Sequence, residues 1–195
     1  MKTKKLKNLI IVGAGSFGRE AYIWAKQAKE NGSLWEVRGF LDDNKNALSG
    51  YNYEVGVVSG IKEYMPKPDD LFICPMGDPK IKKKLVSIIL KKGGKFTNVI
   101  HPTVIFGKNV KLGTGVILCP YAVISSDSVL GNFISVNLHA NIGHDVKMGD
   151  WCFIGPGGSI NGGVTLEKSV FIGSHGVGFP GGYVAEGAVI AAGSV

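Results

Sequence analysis

The segment best suited to catalysis is Asn141-Ile142-Gly143-His144-Asp145, in which an imidazole and a carboxylate are adjacent. Histidine changes its protonation state near neutral pH, and a neighbouring carboxylate can set its tautomer and its basicity. Such a pair can serve as a general base toward an attacking amine or hydroxyl. The residues therefore predict a catalytic role for His144 and Asp145. The alternative reading is a solvated histidine in a turn.

A second candidate is the glycine loop Gly13-Ala14-Gly15-Ser16-Phe17-Gly18, which separates an apolar run from a helical pattern. Glycines let the backbone approach a diphosphate, and free amides at a helix start attract it. Asp42 and Asp43, after the next apolar segment, could bind a ribose or a base. The loop suits a dinucleotide, a mononucleotide or a nucleotide-sugar diphosphate. A tight turn without a ligand is the alternative.

The elements that hold the glycine loop alternate between strand and helix over residues 1–100, which predicts a small doubly wound parallel sheet. We predict strands at 8–12, 35–41, 71–74 and 96–100, with an irregular segment at 45–60. One helix is predicted at 17–31. A second begins after Asp78-Pro79, carries apolar Ile81 and Leu85, and ends before Gly93.

The elements that hold His144 repeat every six residues from Val104 to Val195. The anchor of each hexad is a large apolar residue except at Gly178, and the anchors are Phe106, Leu112, Leu118, Ile124, Leu130, Val136, Ile142, Met148, Ile154, Ile160, Leu166, Ile172, Gly178, Val184 and Ile190. Six residues suit a short strand plus a corner, and three such sides close a triangular coil. The pattern predicts a left-handed parallel β-helix of about five coils with the anchors inside. We expect the Gly and Asn residues after the anchors to tolerate the unusual backbone angles of the corners. A β-sandwich is the alternative.

Composition bounds the function classes. The net charge is +7, but the lysines cluster at 2–7, 80–84 and 91–95, as in solvated faces, and no aromatic residues alternate with them. This argues against nucleic-acid binding. Three cysteines without metal spacing fit a reducing cytoplasm. No apolar run is long enough to cross a membrane.

The order of a glycine-loop domain followed by hexads resembles the NeuD and PglD types of bacterial sugar O- and N-acyltransferase. The match is carried by IIVGAGSFGRE at 10–20, GFLDD at 39–43, IHP at 100–102 and GHDVKMGDWCFIGPGGSINGGVTLEKSVFIG at 143–173. The resemblance implies a Rossmann-like nucleotide-sugar-binding domain at 1–100. It also implies a left-handed β-helix acyltransferase domain at 101–195.

In that family, acetyl-CoA is the acyl donor and lies between neighbouring prisms of a homotrimer. The match makes His144 the general base and Asp145 its orienting acid, and it places acetyl-CoA at Gly162 and Gly173. The residues matched to the nucleotide-sugar site are Gly13, Gly15, Phe17, Gly18, Asp42, Asp43, Gly77 and Asn137. The resemblance implies a metal-free cytoplasmic acetyltransferase of surface-polysaccharide synthesis, like the sialic acid O-acetyltransferases.

Two residues depart from the family pattern, because Phe17 and Phe153 stand where many members have histidine. Many members also continue past Val195 with a further coil. A catalytically inactive nucleotide-binding scaffold is therefore the alternative function. An NAD-dependent redox enzyme is a third, although the chain leaves no room for its catalytic domain.

Overall fold

The computed structural model describes residues 6–195 and begins with a parallel sheet flanked by helices. Its elements, in chain order, are β1 (Lys7–Val12), α1 (Ser16–Glu30), β2 (Trp35–Leu41), β3 (Val57–Ser59), β4 (Asp70–Ile73), α2 (Pro79–Lys91) and β5 (Lys95–Phe96). The strand order is β3-β2-β1-β4-β5, and each neighbouring pair is parallel. The chain therefore returns past β1 to build the other half of the sheet.

Side chains of β1 alternate between the two faces of this sheet, as the period of a strand requires. Leu9 and Ile11 pack with the buried residues of α1, whereas Ile10 and Val12 pack with Val86 and Ile89 of α2. β1 is thus covered on both faces, which explains its uninterrupted apolar sequence.

A second set of strands within the described residues, each two residues long, follows the sheet. They are β6 (Val99–Ile100), β7 (Ile105–Phe106), β8 (Lys111–Leu112), β9 (Ile117–Leu118), β10 (Val123–Ile124), β11 (Val129–Leu130), β12 (Ser135–Val136), β13 (Asn141–Ile142), β14 (Lys147–Met148), β15 (Phe153–Ile154), β16 (Ser159–Ile160), β17 (Thr165–Leu166), β18 (Phe171–Ile172), β19 (Val177–Gly178), β20 (Tyr183–Val184) and β21 (Val189–Ile190).

These strands build a three-sided parallel β-solenoid, which we call the prism. Face 1 contains β6, β9, β12, β15, β18 and β21; face 2 contains β7, β10, β13, β16 and β19; face 3 contains β8, β11, β14, β17 and β20. Each strand pairs in parallel with the strand one coil later, as Val123 does with Asn141. The antiparallel β-sandwich alternative is therefore wrong.

The hexad anchors fill the prism as predicted. Anchors from Leu118 to Ile172 are buried in a single cluster, which also contains small residues such as Ala140 and Val146. Toward the ends, Leu112, Val184 and Ile190 are partly buried against this cluster, and Phe106 is 42% exposed. The prism therefore has a continuous apolar core over its central coils.

The predicted cause of the corner angles was wrong. Positive φ occurs at the third residue after each anchor, for example Asp127 (62°), Asp145 (58°) and Ser169 (61°). The glycine directly after the anchor serves another purpose, because a Cβ on Gly143 would lie 2.6 Å from the Gly162 nitrogen. Glycine is required there because the next coil passes so close, and not because of its φ.

The N-terminal part packs on face 1 of the prism. Val99, Ile117 and Cys119 are buried in one cluster with Trp24 and Ala28 of α1. The segment predicted as one strand at 96–100 is divided, since Phe96 pairs within the N-terminal sheet and Val99–Ile100 pair with β9 of the prism. The segment at 45–60 is also not wholly irregular, because it contains β3. Of the helices in residues 6–195, none is long and apolar enough to cross a bilayer.

Candidate active site

His144 and Asp145 lie on the corner that connects face 2 to face 3. Their side chains are 70% and 65% exposed, and His144 Nδ1 is 2.8 Å from Asp145 Oδ2. A carboxylate can only accept a hydrogen bond, so Nδ1 carries the proton and donates it. The other ring nitrogen, Nε2, is therefore left with its lone pair available. The predicted pair is directed outward and is in the correct tautomer for a base.

Gly162 lies next to this imidazole, one coil further along the same corner. A Cβ built on Gly162 would be 2.5 Å from His144 Nε2, so only glycine leaves room for the ring. The carbonyl of His144 accepts a hydrogen bond from Gly163 N at 2.8 Å, which fixes the two coils together. Among the described residues the Gly162 N–H has no acceptor. A free amide thus lies close to the candidate base.

The glycine loop lies at the carboxyl end of β1, and its three glycines have different roles. Gly13 has φ +99°, and a Cβ on Gly18 would be 2.0 Å from the Gly13 oxygen. Gly15 is the N-cap of α1 and provides no side-chain hydrogen bond to the first helical amides. By contrast, Asp78 caps α2 by accepting from Lys80 N and Ile81 N. The amides at the start of α1 are therefore open to an anion, whereas those of α2 are occupied.

Asp42 and Asp43 follow β2 beside this loop, but both are already hydrogen-bonded within the protein. Asp42 accepts from Ala14 N at 2.8 Å and from Asn44 N at 2.9 Å, so it fixes the glycine loop. Asp43 accepts from Ile61 N at 3.0 Å. Each carboxylate retains acceptor capacity for a ligand, because a carboxylate has about four lone-pair sites.

The structure brings Phe17, Phe153 and Gly77 together. The rings of Phe17 and Phe153 meet edge to face with centroids 6.1 Å apart, and Phe153 stacks on Phe171 at 4.9 Å. A Cβ on Gly77 would lie 3.6 Å from Phe153. The two departures from the family pattern therefore pack against each other, and the aromatic cluster connects the glycine loop to face 1.

A cavity of about 480 Å³ opens beside this cluster. It is lined by Gly77, Phe153, Ser169, Phe171 and Val189, together with the first residues of α2. Ser169 Oγ is buried and has no hydrogen-bond partner. The cavity is thus lined largely by apolar and aromatic side chains.

The remaining predicted residues, Asn137 and Gly173, lie on the corner between face 1 and face 2. The Asn137 side chain accepts from Leu138 N at 2.7 Å. Gly173 is buried, and a Cβ there would lie 2.6 Å from the nitrogen of Ala192. In this chain neither is brought to the His144 corner, so their predicted substrate contacts stay predictions.

The glycine loop and His144 lie on different sides of the prism. The N-terminal part covers face 1, and the His144 corner, between faces 2 and 3, is opposite face 1 in a triangular coil. One chain therefore does not bring its own nucleotide loop to its own imidazole.

Two further residues were not singled out by sequence reasoning. Arg19 stacks its guanidinium 4.0 Å from the centre of the Tyr51 ring and donates to the carbonyl of Ala14 in the glycine loop. Lys82, predicted to belong to a solvated run, is 2% exposed. The signal for Lys82 was its spacing, because Lys82, Val86 and Ile89 are one face of α2. Among residues 6–195 no group of three or more potential metal ligands occurs.

Comparisons with known proteins support this combination of parts. The family model for the PglD N-terminal domain matches residues 8–89. GDP-perosamine N-acetyltransferase of Escherichia coli O157:H7 is 29% identical over 170 residues, which is 86% of this chain and 76% of that protein.

Solved structures match over nearly the whole chain. WeeI from Acinetobacter baumannii AYE superposes with a TM-score of 0.81 at 25% identity, covering 96% of this chain and 90% of that one. The acetyltransferase domain of PglB from Neisseria gonorrhoeae FA1090, solved with acetyl coenzyme A, has a TM-score of 0.75 at 20% identity and shows the same fold over 97% of this chain and 98% of that one. Residues 8–89 thus match the PglD N-terminal domain family, and the glycine-loop sheet followed by the prism is the fold that this chain shares with WeeI and with the acetyltransferase domain of PglB.

Proposed function

We propose that this protein transfers the acetyl group of acetyl-CoA to the amino group of a nucleotide-linked amino sugar. The observation that carries the proposal is the exposed His144–Asp145 pair at 2.8 Å, with Nε2 directed at Gly162 and its free amide. The curated relative is an N-acetyltransferase of GDP-perosamine, which favours an amine over a hydroxyl acceptor.

In the proposed reaction, His144 Nε2 accepts a proton from the acceptor amine as the nitrogen attacks the thioester carbonyl carbon. The C–S bond then breaks, and the imidazolium returns the proton to the leaving CoA thiolate. Asp145 stabilises the imidazolium through Nδ1–H. The Gly162 N–H is the candidate donor to the carbonyl oxygen as it gains negative charge.

Direct transfer is favoured over an acyl-enzyme. The three cysteines are buried, and burial raises the pKa of Cys74 to about 12 and that of Cys152 to about 11. Burial raises the pKa of Cys119 as well. Neutral, buried thiols are poor nucleophiles.

The nucleotide part is assigned to the glycine loop. The open amides at the start of α1, with Gly13, Gly15 and Gly18, would hold the diphosphate, and the nearby Arg19 adds a positive charge. The strand order β3-β2-β1-β4-β5 is that of doubly wound nucleotide-binding sheets, which supports a Rossmann-like domain at 1–100, although β6 at its end already pairs with the prism. The proposal takes the coils of 101–195 to be a left-handed β-helix.

The proposal includes a homotrimer. Because the glycine loop and His144 are on opposite sides of one prism, the acceptor bound by one chain would meet the imidazole of its neighbour. Asn137, Gly162 and Gly173 would then contribute to the cleft between prisms that takes acetyl-CoA. A cytoplasmic location is part of the same proposal, since acetyl-CoA and nucleotide sugars are made there.

To test the reaction, purified protein is incubated with acetyl-CoA and a panel of GDP- and UDP-linked amino sugars that includes GDP-perosamine. We expect release of CoA thiol and a product that survives mild base, because amides resist conditions that cleave acetyl esters. His144→Ala should lower kcat by roughly 10²–10⁴-fold. Lys108→Ala, two coils earlier on the same corner, is the matched control and should retain activity.

An inactive nucleotide-binding scaffold is the second candidate, favoured by the replacement of two histidines by the packed Phe17–Phe153 pair. Thermal unfolding separates the two functions. A transferase should be stabilised by both acetyl-CoA and a nucleotide sugar, whereas a scaffold should respond to the nucleotide alone and release no thiol.

A further inference from the structure

We propose that Lys82 is a positioning residue for the acceptor site. It holds the Gly77 loop and the start of α2 at a fixed separation from the prism around Phe153. The proposal rests on the proposed function, because the acceptor site is its subject. Lys82 belongs to α2, yet its ammonium crosses to the prism. It donates to Ser135 Oγ at 2.8 Å and to the carbonyl oxygen of Phe133 at 3.2 Å.

The burial of this ammonium is unusual. Lys82 is 2% exposed and Ser135 is fully buried, and no carboxylate within residues 6–195 forms an ion pair with Lys82. Charged side chains are almost never fully buried without a partner of opposite charge. An apolar side chain of similar length would fill the same space without the desolvation cost. A positioning role for the ammonium between α2 and the prism therefore explains its burial better than a contribution to the stability of the fold.

Lys82 connects elements that both lead into the candidate acceptor site. On its own side, Lys82 N donates to Asp78 O, one turn after the Gly77 loop. On the prism side, Ser135 pairs in register with Phe153, the residue that contacts both Gly77 and Phe17. The ammonium therefore fixes the start of α2 one coil away from the point where the glycine loop meets the prism.

The groups around the ammonium make its charge testable. Cys74 after β4, Cys119 after β9 and Cys152 before β15 face it, and all three are thiols whose pKa is raised by burial. They stay neutral at pH 8. Desolvation lowers the pKa of Lys82 to about 8. The charged donor is present below that pH and is lost above it, and hydrogen bonds from charged donors are about twice as strong as neutral ones.

The test compares wild type with Lys82→Met, and uses Lys84→Met on the exposed side of α2 as the control. Acetyl-CoA and GDP-perosamine are the substrates, and initial rates are measured between pH 7 and 9.5. We expect Lys82→Met to raise the KM for the nucleotide sugar roughly tenfold, with kcat and the KM for acetyl-CoA within about twofold of wild type. In wild type that KM should rise above pH 8, whereas in Lys82→Met it should show no such step.

An unchanged acceptor KM in Lys82→Met, or the same rise above pH 8 in both proteins, overturns the proposal. If Lys82→Met does not fold, Ser135→Ala keeps the lysine and should still raise the acceptor KM; a wild-type value there also overturns it. Hydrogen exchange of residues 77–91 gives a readout that does not depend on turnover. Faster exchange in Lys82→Met than in Lys84→Met is expected, and equal exchange contradicts the proposal even if wild type uses another substrate.

Discussion

At the scale of single residues, the candidate base owes its position to its neighbours on the corner. Asp145 adopts a positive φ of 58° and thereby places its carboxylate 2.8 Å from the imidazole. Asp and Asn tolerate this backbone region better than most residues because their short polar side chains can bond locally. The residue that orients the base thus also provides the corner geometry.

Gly162→Ala tests the contact between this base and the next coil. The new methyl would lie 2.5 Å from His144 Nε2, so the exposed ring must rotate away. We expect kcat to fall at least tenfold, as for a misplaced general base, while the melting temperature stays within about 2 °C of wild type. Gly56→Ala, where a Cβ meets nothing within 4 Å, is the control. Full activity in Gly162→Ala would argue against Nε2 as the base.

At the scale of elements, the two helices begin differently. Helix α2 has the Asp78 cap followed by Pro79, whereas α1 starts at Gly15 without a side-chain cap. An uncapped helix start costs stability unless another group binds its amides. This difference makes α1 the helix with a start available for a phosphate.

Gly15→Asp should separate stability from binding. Space is available, because a Cβ on Gly15 meets nothing within 4 Å. The carboxylate can cap α1 and is expected to stabilise the fold by only about 0.3 kcal/mol, because glycine is itself a tolerated N-cap. It would also occupy the free amides and repel phosphate, so titration calorimetry should show loss of GDP or UDP binding. Gly56→Asp is the control, and nucleotide affinity retained in Gly15→Asp would remove α1 from the site.

The aromatic cluster of Phe17, Phe153 and Phe171 is expected to stabilise the fold by attaching the glycine loop to the prism. Phe153 is 8% exposed, and Phe153→Ala should lower the free energy of unfolding by about 3 kcal/mol in urea titrations. Phe179, which is 71% exposed, provides the matched control. Phe179→Ala should change that free energy by no more than about 0.5 kcal/mol. Equal effects of the two substitutions would show that the cluster does not support the fold.

At the scale of the whole molecule, the opposite placement of loop and base predicts complementation. We expect Gly15→Asp and His144→Ala each to be inactive alone. In trimers assembled from an equal mixture, a site needs an intact loop from one chain and an intact histidine from its neighbour, so about a quarter of the sites should be complete. Thiol release by co-refolded or co-expressed mixtures measures this. No recovered activity would mean that each site is built from one chain.

The sequence predicted the parts that depend on local periodicity. The hexads predicted the prism because the anchors share the same environment, the apolar interior of a coil. The glycine loop was found because it directly connects β1 to α1. The edge strand β3 was missed because its three residues have no period to recognise. The Phe17–Phe153 contact arises from packing between distant segments, which local patterns do not encode. The spacing of Lys82 with Val86 and Ile89 indicates that it faces inward, but its hydrogen bonds to Phe133 and Ser135 of the prism depend on the tertiary fold.

The in-register pairing of the coils also limits how the distance between His144 and the N-terminal part can change in related proteins. Successive coils along a corner are spaced by one strand separation, about 4.8 Å. The position of His144 along the prism axis, relative to the N-terminal part on face 1, can therefore change only in such steps. Each step requires the gain or loss of one coil of eighteen residues, the separation between His144 and Gly162. Relatives that act on larger acceptors are accordingly expected to differ by whole turns of the solenoid, with the imidazole returned to the same edge each time.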